Sequence, residues 1–305
     1  MYSVIIPIYN EEQTIPELYT RLAAAAAALD SPVEIILVDD GSRDRSWELL
    51  SAIQARDARV KILRLSRNFG HQVAISAGLD EAKGDAVFLM DGDLQDPPEL
   101  IPAMAARWKE GFAVVYTVKT SRKENPLMRL AFTSFYRVLH ALSSIQIPMD
   151  AGNFSLLDRR VVDVLRAMPE RNRYISGLRA WAGFPQAALT YDRDPRFAGK
   201  PRMSLGRLFN LALDGIFSFS NVPLRLAIYL GLATAALAFA GALYVVYAKI
   251  FTDRAILGWA STILSILFVG GMILVTLGVI GEYISRIYEE VKKRPLYVVR
   301  DRIGF

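Results

Sequence analysis

Two carboxylates separated by a single glycine, Asp91 and Asp93, follow the apolar run Ala86 to Met90. Paired carboxylates on a turn can hold a hard divalent cation that also takes diphosphate oxygens. Gln95 offers a further oxygen nearby, and Pro97-Pro98 stiffens the exit of the turn. The same triplet also occurs as an ordinary turn, so spacing alone leaves both readings open. A second acidic pair, Asp39-Asp40, ends another apolar run; it can accept hydrogen bonds from a base or ribose, or close an Asx turn with Gly41. A third polar cluster runs from Tyr9 to Glu12. The sequence has no cysteine and only two histidines, His71 and His140. Thiolate chemistry, disulfides and a histidine-rich zinc site are therefore excluded or disfavoured. His71, inside Asn68-Phe69-Gly70-His71-Gln72, reads as a structural hydrogen-bonder at a helix start rather than a base.

These clusters need a frame. Residues 2–8, 33–38, 60–65 and 86–90 read as buried strands rich in β-branched and apolar residues. Each of the first three is followed by a helical pattern: one through the alanine run 23–28, one capped by Asp44 or Ser46, one after Gly70. Four strands alternating with helices through short connections predict an α/β fold, a mostly parallel sheet with helices on both faces. In such sheets ligands bind beyond the carboxyl ends of the strands, where all three polar clusters fall.

The remainder is membrane-like. Of the 305 residues 52% are hydrophobic, and the mean hydropathy is +0.24. Residues 226–248 and 255–281 carry no charge, and each is long enough to cross a ~30 Å hydrocarbon core. Residues 126–145 and 203–219 predict apolar helices with basic and aromatic residues, lying either in the membrane interface or on the sheet. The far flank holds Arg286, Lys292, Lys293, Arg294, Arg300 and Arg302, which places it with the first domain on the cytoplasmic side. The apolar stretch Val4 to Ile8, broken by Pro7, is too short for a signal peptide. A net charge of +5 and a pI near 9.3 suit an anionic partner. No long basic run of the nucleic-acid-binding kind is present. Three parts are expected: 1–220 catalytic, 221–285 a two-helix anchor, 286–305 a basic tail.

The strings VIIPIYNEE, VDDGSRD, NFGHQVAISAGLDEAKGD and MDGDLQDPPE, in this order and at strand ends, resemble the glycosyltransferase family 2 catalytic domain with its Rossmann-like GT-A fold, over residues 1 to about 220. With GNFSLLDRR, FSFSNVPLR and two spans, the chain resembles more narrowly the polyprenyl-phosphate glycosyltransferases, the dolichol-phosphate-mannose-synthase-like and bactoprenol glucosyltransferase group. The resemblance implies that Pro7, Tyr9, Asn10 and Glu11 line a nucleotide pocket and that Asp39 and Asp40 contact uridine or ribose. It implies that Asp91 lies against nucleotide or metal and that Asp93 with Gln95 binds Mg²⁺ or Mn²⁺. The segment AGKPRMSLGRL resembles the family's basic loop that closes on phosphates; it departs from the common pattern at Pro201, Arg202 and Met203, keeping the charge at Arg202. Asn153 stands where many relatives have an acidic residue.

What the resemblance implies is an inverting transferase moving one sugar, glucose from UDP-glucose by choice, onto a polyprenyl phosphate at the cytoplasmic face of the plasma membrane. A phosphate monoester has a second pKa of about 6 and arrives largely dianionic, so no general base is needed. Arg122, Arg129, Lys200 and Arg202 are the candidates for holding that phosphate. Trp181 in GLRAW reads as packing or an interface anchor, since the QxxRW string of processive synthases is incomplete here. Homo-oligomerisation is a family-level expectation. The competing readings are a processive polysaccharide synthase, disfavoured by having only two spans, and a non-catalytic nucleotide-binding scaffold.

Overall fold

The computed structural model describes residues 1–119, 151–191, 222–251 and 258–305. The expected helices at 126–145 and 203–219 lie outside the described residues. The chain divides into two compact units: one holds the N-terminal region together with residues 294–305, the other the apolar helices up to Lys293.

The first unit is built on an eight-stranded sheet: β1 Tyr2–Ile8, β2 Val33–Asp39, β3 Val60–Leu65, β4 Ala86–Leu89, β5 Val114–Lys119, β6 Ala151–Asp158, β7 Gln186–Tyr191 and β8 Val299–Ile303. Their spatial order is β7-β5-β6-β4-β1-β2-β3-β8. The four central strands β4, β1, β2 and β3 run parallel, as the alternating pattern predicts. Every residue of β1 and β2 is buried, which is why these strands read as unbroken apolar runs rather than alternating ones. Beyond the parallel centre the sheet is mixed: β6 is antiparallel to β4 and β5, β7 is parallel to β5, and β8 is antiparallel to β3.

Helices cover both faces. α1 (Ile15–Ala27), α2 (Ser46–Gln54) and α4 (Ile101–Lys109) bury Ile15, Leu18, Leu22, Leu50, Ile101 and Met104 against Val4, Ile6, Ile35, Ile62 and Phe88. Burying each such side chain contributes roughly 1.5–3 kcal/mol. α3 (His71–Glu81) packs on the opposite face of β1 and β2. Its approach is close, since a methyl on Gly78 would sit 2.3 Å from Ile5. α5 (Arg159–Ala167) and α6 (Ile175–Trp181) follow β6 on that same face. Asp158 caps α5 by accepting from Arg160 N–H at 3.0 Å and also receives the Trp108 indole N–H at 2.9 Å, joining the two faces at one residue.

Residues 286–305 divide between two places. Those up to Val291 continue a helix of the second unit, whereas Val299–Ile303 pairs with β3. The pairing is reinforced by Ser66 N–H to Val298 O at 2.9 Å, Tyr297 Oη to Asp80 at 2.8 Å and an Arg302–Glu81 ion pair at 2.6 Å.

The second unit contains α7 (Val222–Phe251) and α8 (Trp259–Val291), which pack against each other. Pro223 sits in the first turn of α7, where a missing N–H costs nothing. Just beyond the Lys292 C-cap of α8, Lys293 adopts φ 48°, and Pro295 follows. Both helices are long and apolar enough to cross a membrane, and only 6% and 0% of their most apolar stretches are buried. A core helix of a water-soluble protein would be mostly buried. Leu232, Leu237, Phe239 and Leu274 each expose 63% or more of their surface, so these helices require an apolar solvent, and the protein is membrane-associated.

Ending the chain after Lys293 would strip the cover from the β3 edge. The expected result is a melting temperature lowered by at least about 5 °C, with more aggregation, in differential scanning fluorimetry of the detergent-solubilised protein. An unchanged melting curve would mean that β8 adds nothing to the sheet.

Candidate active site

The two ends of the parallel strands are built differently. At the amino ends, Glu34 is buried and fully engaged: it accepts from Ser3 Oγ at 2.5 Å, Lys83 N–H at 2.6 Å and Lys61 Nζ at 2.6 Å. Burial works against its charge, but these partners outweigh it and hold its pKa below the ordinary value. That end is closed. The carboxyl ends instead open onto a pocket of about 270 Å³.

Its walls come from the ends of the four parallel strands and the segments that follow them. Pro7, Tyr9 and Glu11 extend from β1, Asp40 from β2, Asn68, Gly70 and His71 from the β3–α3 loop, and Asp91, Gly92 and Asp93 from β4. The structure thus brings together six of the expected residues: Pro7, Tyr9, Glu11, Asp40, Asp91 and Asp93. Asn10 and Asp39 stand behind the wall. Asn10, at φ 53°, takes Arg43 N–H on its Oδ1 at 2.8 Å and gives its own N–H to Ser42 Oγ at 3.0 Å. Asp39 is fully buried; its Oδ1 accepts Ser42 N–H at 2.9 Å and its Oδ2 lies 3.3 Å from Arg64 Nε. Gln95 does not line the pocket, and its N–H closes the acidic turn on Asp93 Oδ1 at 3.1 Å. Arg122, Arg129, Lys200 and Arg202 lie outside the described residues.

Asp40 organises the loop after β3. Its Oδ1 accepts Phe69 N–H at 2.7 Å and its Oδ2 accepts Gly70 N–H at 2.9 Å. Burial pushes its pKa up against the effect of these two bonds. Two glycines permit the geometry. Gly41 has φ 68°, and a methyl there would lie 2.5 Å from the Arg67 carbonyl carbon; Gly70 has φ 101° and ψ 154°, a region reserved for glycine.

The loop delivers His71 to the first turn of α3. Its Nε2 lies 3.2 Å from Asp91 Oδ1 and 3.1 Å from the side-chain amide of Asn153, on β6. His71 is therefore a pocket residue as well as a helix-start residue. Desolvation disfavours its charged form, but the carboxylates of Asp91, Asp40 and Asp93 overcome this and raise its pKa. Asn68 and Gly70 also line the pocket although the sequence reading assigned them no role; their signal was the NFG string at a strand end.

Among the described residues no three His, Asp or Glu side chains converge as a closed metal cage. The donor set nevertheless fits Mg²⁺ or Mn²⁺. Such ions are commonly held by one or two carboxylates plus substrate phosphates and waters, and Asp91 and Asp93 present hard oxygen donors on one pocket wall. The turn carrying them is pinned by Tyr191 Oη, which donates to the buried carboxylate of Asp96. Leu94 within that turn is held at φ 57°.

A mostly parallel α/β sheet with its pocket at the carboxyl ends of the parallel strands, and a carboxylate pair following β4, is the architecture of the GT-A fold. The chain belongs to glycosyl transferase family 2, whose profile matches residues 3–166, and residues 222–287 match the GtrB C-terminal hairpin. The glycosyltransferase YkcC of Bacillus subtilis (strain 168) is 47% identical over 99% of this chain and 94% of its own length. The prophage bactoprenol glucosyl transferase homolog of Escherichia coli (strain K12) is 38% identical over 98% of both chains. Among solved structures, glucosyl-3-phosphoglycerate synthase from Mycobacterium tuberculosis, in complex with Mn²⁺, UDP-glucose and phosphoglyceric acid, shares the fold at 19% identity and TM-score 0.51, over 72% of this chain and 79% of that one.

The raised pKa of His71 fixes a sign. Its charged form contributes stability that is fully present below the unfolded value of about 6.5 and is lost as pH rises through the raised folded value. The melting temperature of the wild type relative to His71→Gln, measured in EDTA, is expected to be greatest below about pH 6.5 and to fall as the pH rises above it. A difference that is flat with pH would mean that His71 is neutral throughout.

Proposed function

We propose that this transferase moves one glucose from UDP-glucose onto a polyprenyl phosphate at the cytoplasmic face of the plasma membrane. The observation that carries the reading is the joining, in one chain, of the Asp91–Asp93 pocket to two exposed apolar helices. Near-full-length similarity to a bactoprenol glucosyl transferase homolog supports both the sugar and the lipid. We assign residues 1–220 to catalysis, 221–285 to the anchor and 286–305 to the same side of the membrane as the catalytic domain. Strand β8 supports that last assignment, because it belongs to the catalytic sheet.

In this reading Tyr9, Glu11 and Asp40 face the nucleoside, and the β1, β2 and β4 ends hold the donor. The acceptor phosphate oxygen attacks the anomeric carbon from behind. The bond from that carbon to the diphosphate breaks, and the departing UDP keeps the electron pair. The acceptor is already anionic, so no proton needs to move, which agrees with an uncharged Asn153 beside the site. Configuration inverts, and an α-linked donor gives a β-linked lipid phosphate sugar. A Mg²⁺ or Mn²⁺ ion held by Asp91 and Asp93 would neutralise charge on the leaving diphosphate. His71, its pKa raised by the neighbouring carboxylates, adds positive potential on the same wall.

The test is to incubate purified protein with undecaprenyl phosphate, Mg²⁺ or Mn²⁺ and a panel of labelled nucleotide sugars, and to count label extracted into organic solvent. UDP-glucose is expected to give an EDTA-sensitive lipid carrying a single sugar. A high-molecular-weight product would indicate a polymer synthase instead. Asp93→Ala is expected to lower transfer by about 10²-fold or more while the protein stays membrane-bound; near-normal turnover would remove Asp93 from the mechanism.

A further inference from the structure

Arg179, in the last turn of α6, is the bulkiest of the fully buried side chains, with 1% of its surface exposed. Its Nε and Nη2 make no hydrogen bond. The guanidinium lies over the ring of Tyr116 at 5.2 Å, and among the described residues the ionisable groups that bear on it are the hydroxyls of Tyr174 and Tyr116. Burial pushes its pKa down to about 10, which leaves it charged at neutral pH.

Other arginines on this face of the sheet are treated differently. Arg159 donates to the carbonyls of Ala82 and Gly84, and Arg166 to those of Leu79 and Ala82. A buried cation with two of its three guanidinium nitrogens unpaired is costly, and an apolar side chain of similar size would usually be tolerated as well or better. A group kept at such a cost is explained when something outside the chain completes it.

Its position says what that would be. A long side chain on a helix leans back over the preceding turn. For Arg179 that direction leads to Tyr174 and Ile175, and Ile175 N–H is hydrogen-bonded to Gln72 Oε1 at 3.0 Å, next to the pocket residue His71. The strand order divides the site at β4. The nucleoside half of the pocket lies over β1, β2 and the β3–α3 loop, whereas Tyr116 is on β5 and α6 packs on β6, the other side of the Asp91–Asp93 turn.

We propose that Arg179 is a phosphate-binding residue on the acceptor side of the site, its planar fork completing itself on the acceptor's phosphate. This rests on the transferase reading given above. Arginine suits the task because its fork matches two phosphate oxygens at once.

The experiment compares full-length wild type, Arg179→Met and Arg179→Lys by three measurements: KM for undecaprenyl phosphate, Kd for UDP by calorimetry, and melting temperature. Arg179→Met is expected to raise the acceptor KM by about tenfold or more, leave UDP affinity unchanged and keep or raise the melting temperature, with Arg179→Lys recovering part of the loss. Weaker UDP binding with an unchanged acceptor KM would assign the phosphate to the donor and overturn the acceptor-side assignment. A lower melting temperature with both constants unchanged would make Arg179 a packing residue. Should the wild type label no polyprenyl phosphate, it is the acceptor reading that has failed. Arg179 is then judged by inorganic phosphate, which should raise the melting temperature of the wild type and not of Arg179→Met; equal shifts would overturn the proposal.

Discussion

The pocket hangs on one carboxylate. Asp40 takes the N–H groups of Phe69 and Gly70 on its two oxygens, and no other interaction fixes where the β3–α3 loop goes as directly. From that anchor the order of positions is determined. Gly70 adopts a conformation only glycine holds comfortably, α3 begins at His71, and His71 reaches across to Asp91 on β4 and Asn153 on β6. The next residue, Gln72, fixes the start of α6. A single charge-assisted contact therefore sets the spacing of side chains from four parts of the sheet.

The sheet separates what must be rigid from what must be open. Its amino ends are sealed by Ser3, Glu34, Lys61 and Lys83 around one satisfied carboxylate, and its central strands are buried on both faces. The carboxyl ends carry the departures from ideal backbone, with Asn10 and Leu94 both at positive φ within the loops that form the pocket. Strain is concentrated where substrates must be met and is held there by the packing beneath it.

The parts written locally in the chain were legible. β1 to β4 announce themselves as short apolar runs, and each polar cluster follows its strand directly, so Tyr9, Asp40, Asp91 and Asp93 could be placed at one rim from order alone. What could not be read was anything made by pairing at long range. Nothing in residues 299–303 says that they join β3, because an edge strand with alternating charges looks like a tail. The parallel alignment of β7 with β5 is equally silent in sequence. His71 reads as a helix-start residue and becomes a pocket residue only because β4 delivers Asp91 within 3.2 Å of it. Arg179 offers no cue at all: an arginine in a short helix is ordinarily solvated, and its burial is visible only once Tyr116 lies beneath it.

The closure of β8 on β3 makes the helical hairpin an insertion within a domain rather than an appendage after it. A segment bounded on both sides by strands of one sheet can cross a bilayer only an even number of times, so hydrogen bonding within the sheet constrains any path it takes through a membrane. It also orders assembly in time. During synthesis the sheet must wait with β3 uncovered until both apolar helices have emerged and turned back. A complete sheet is thus itself a record that the hairpin has been made and has brought its far end back to the β3 edge.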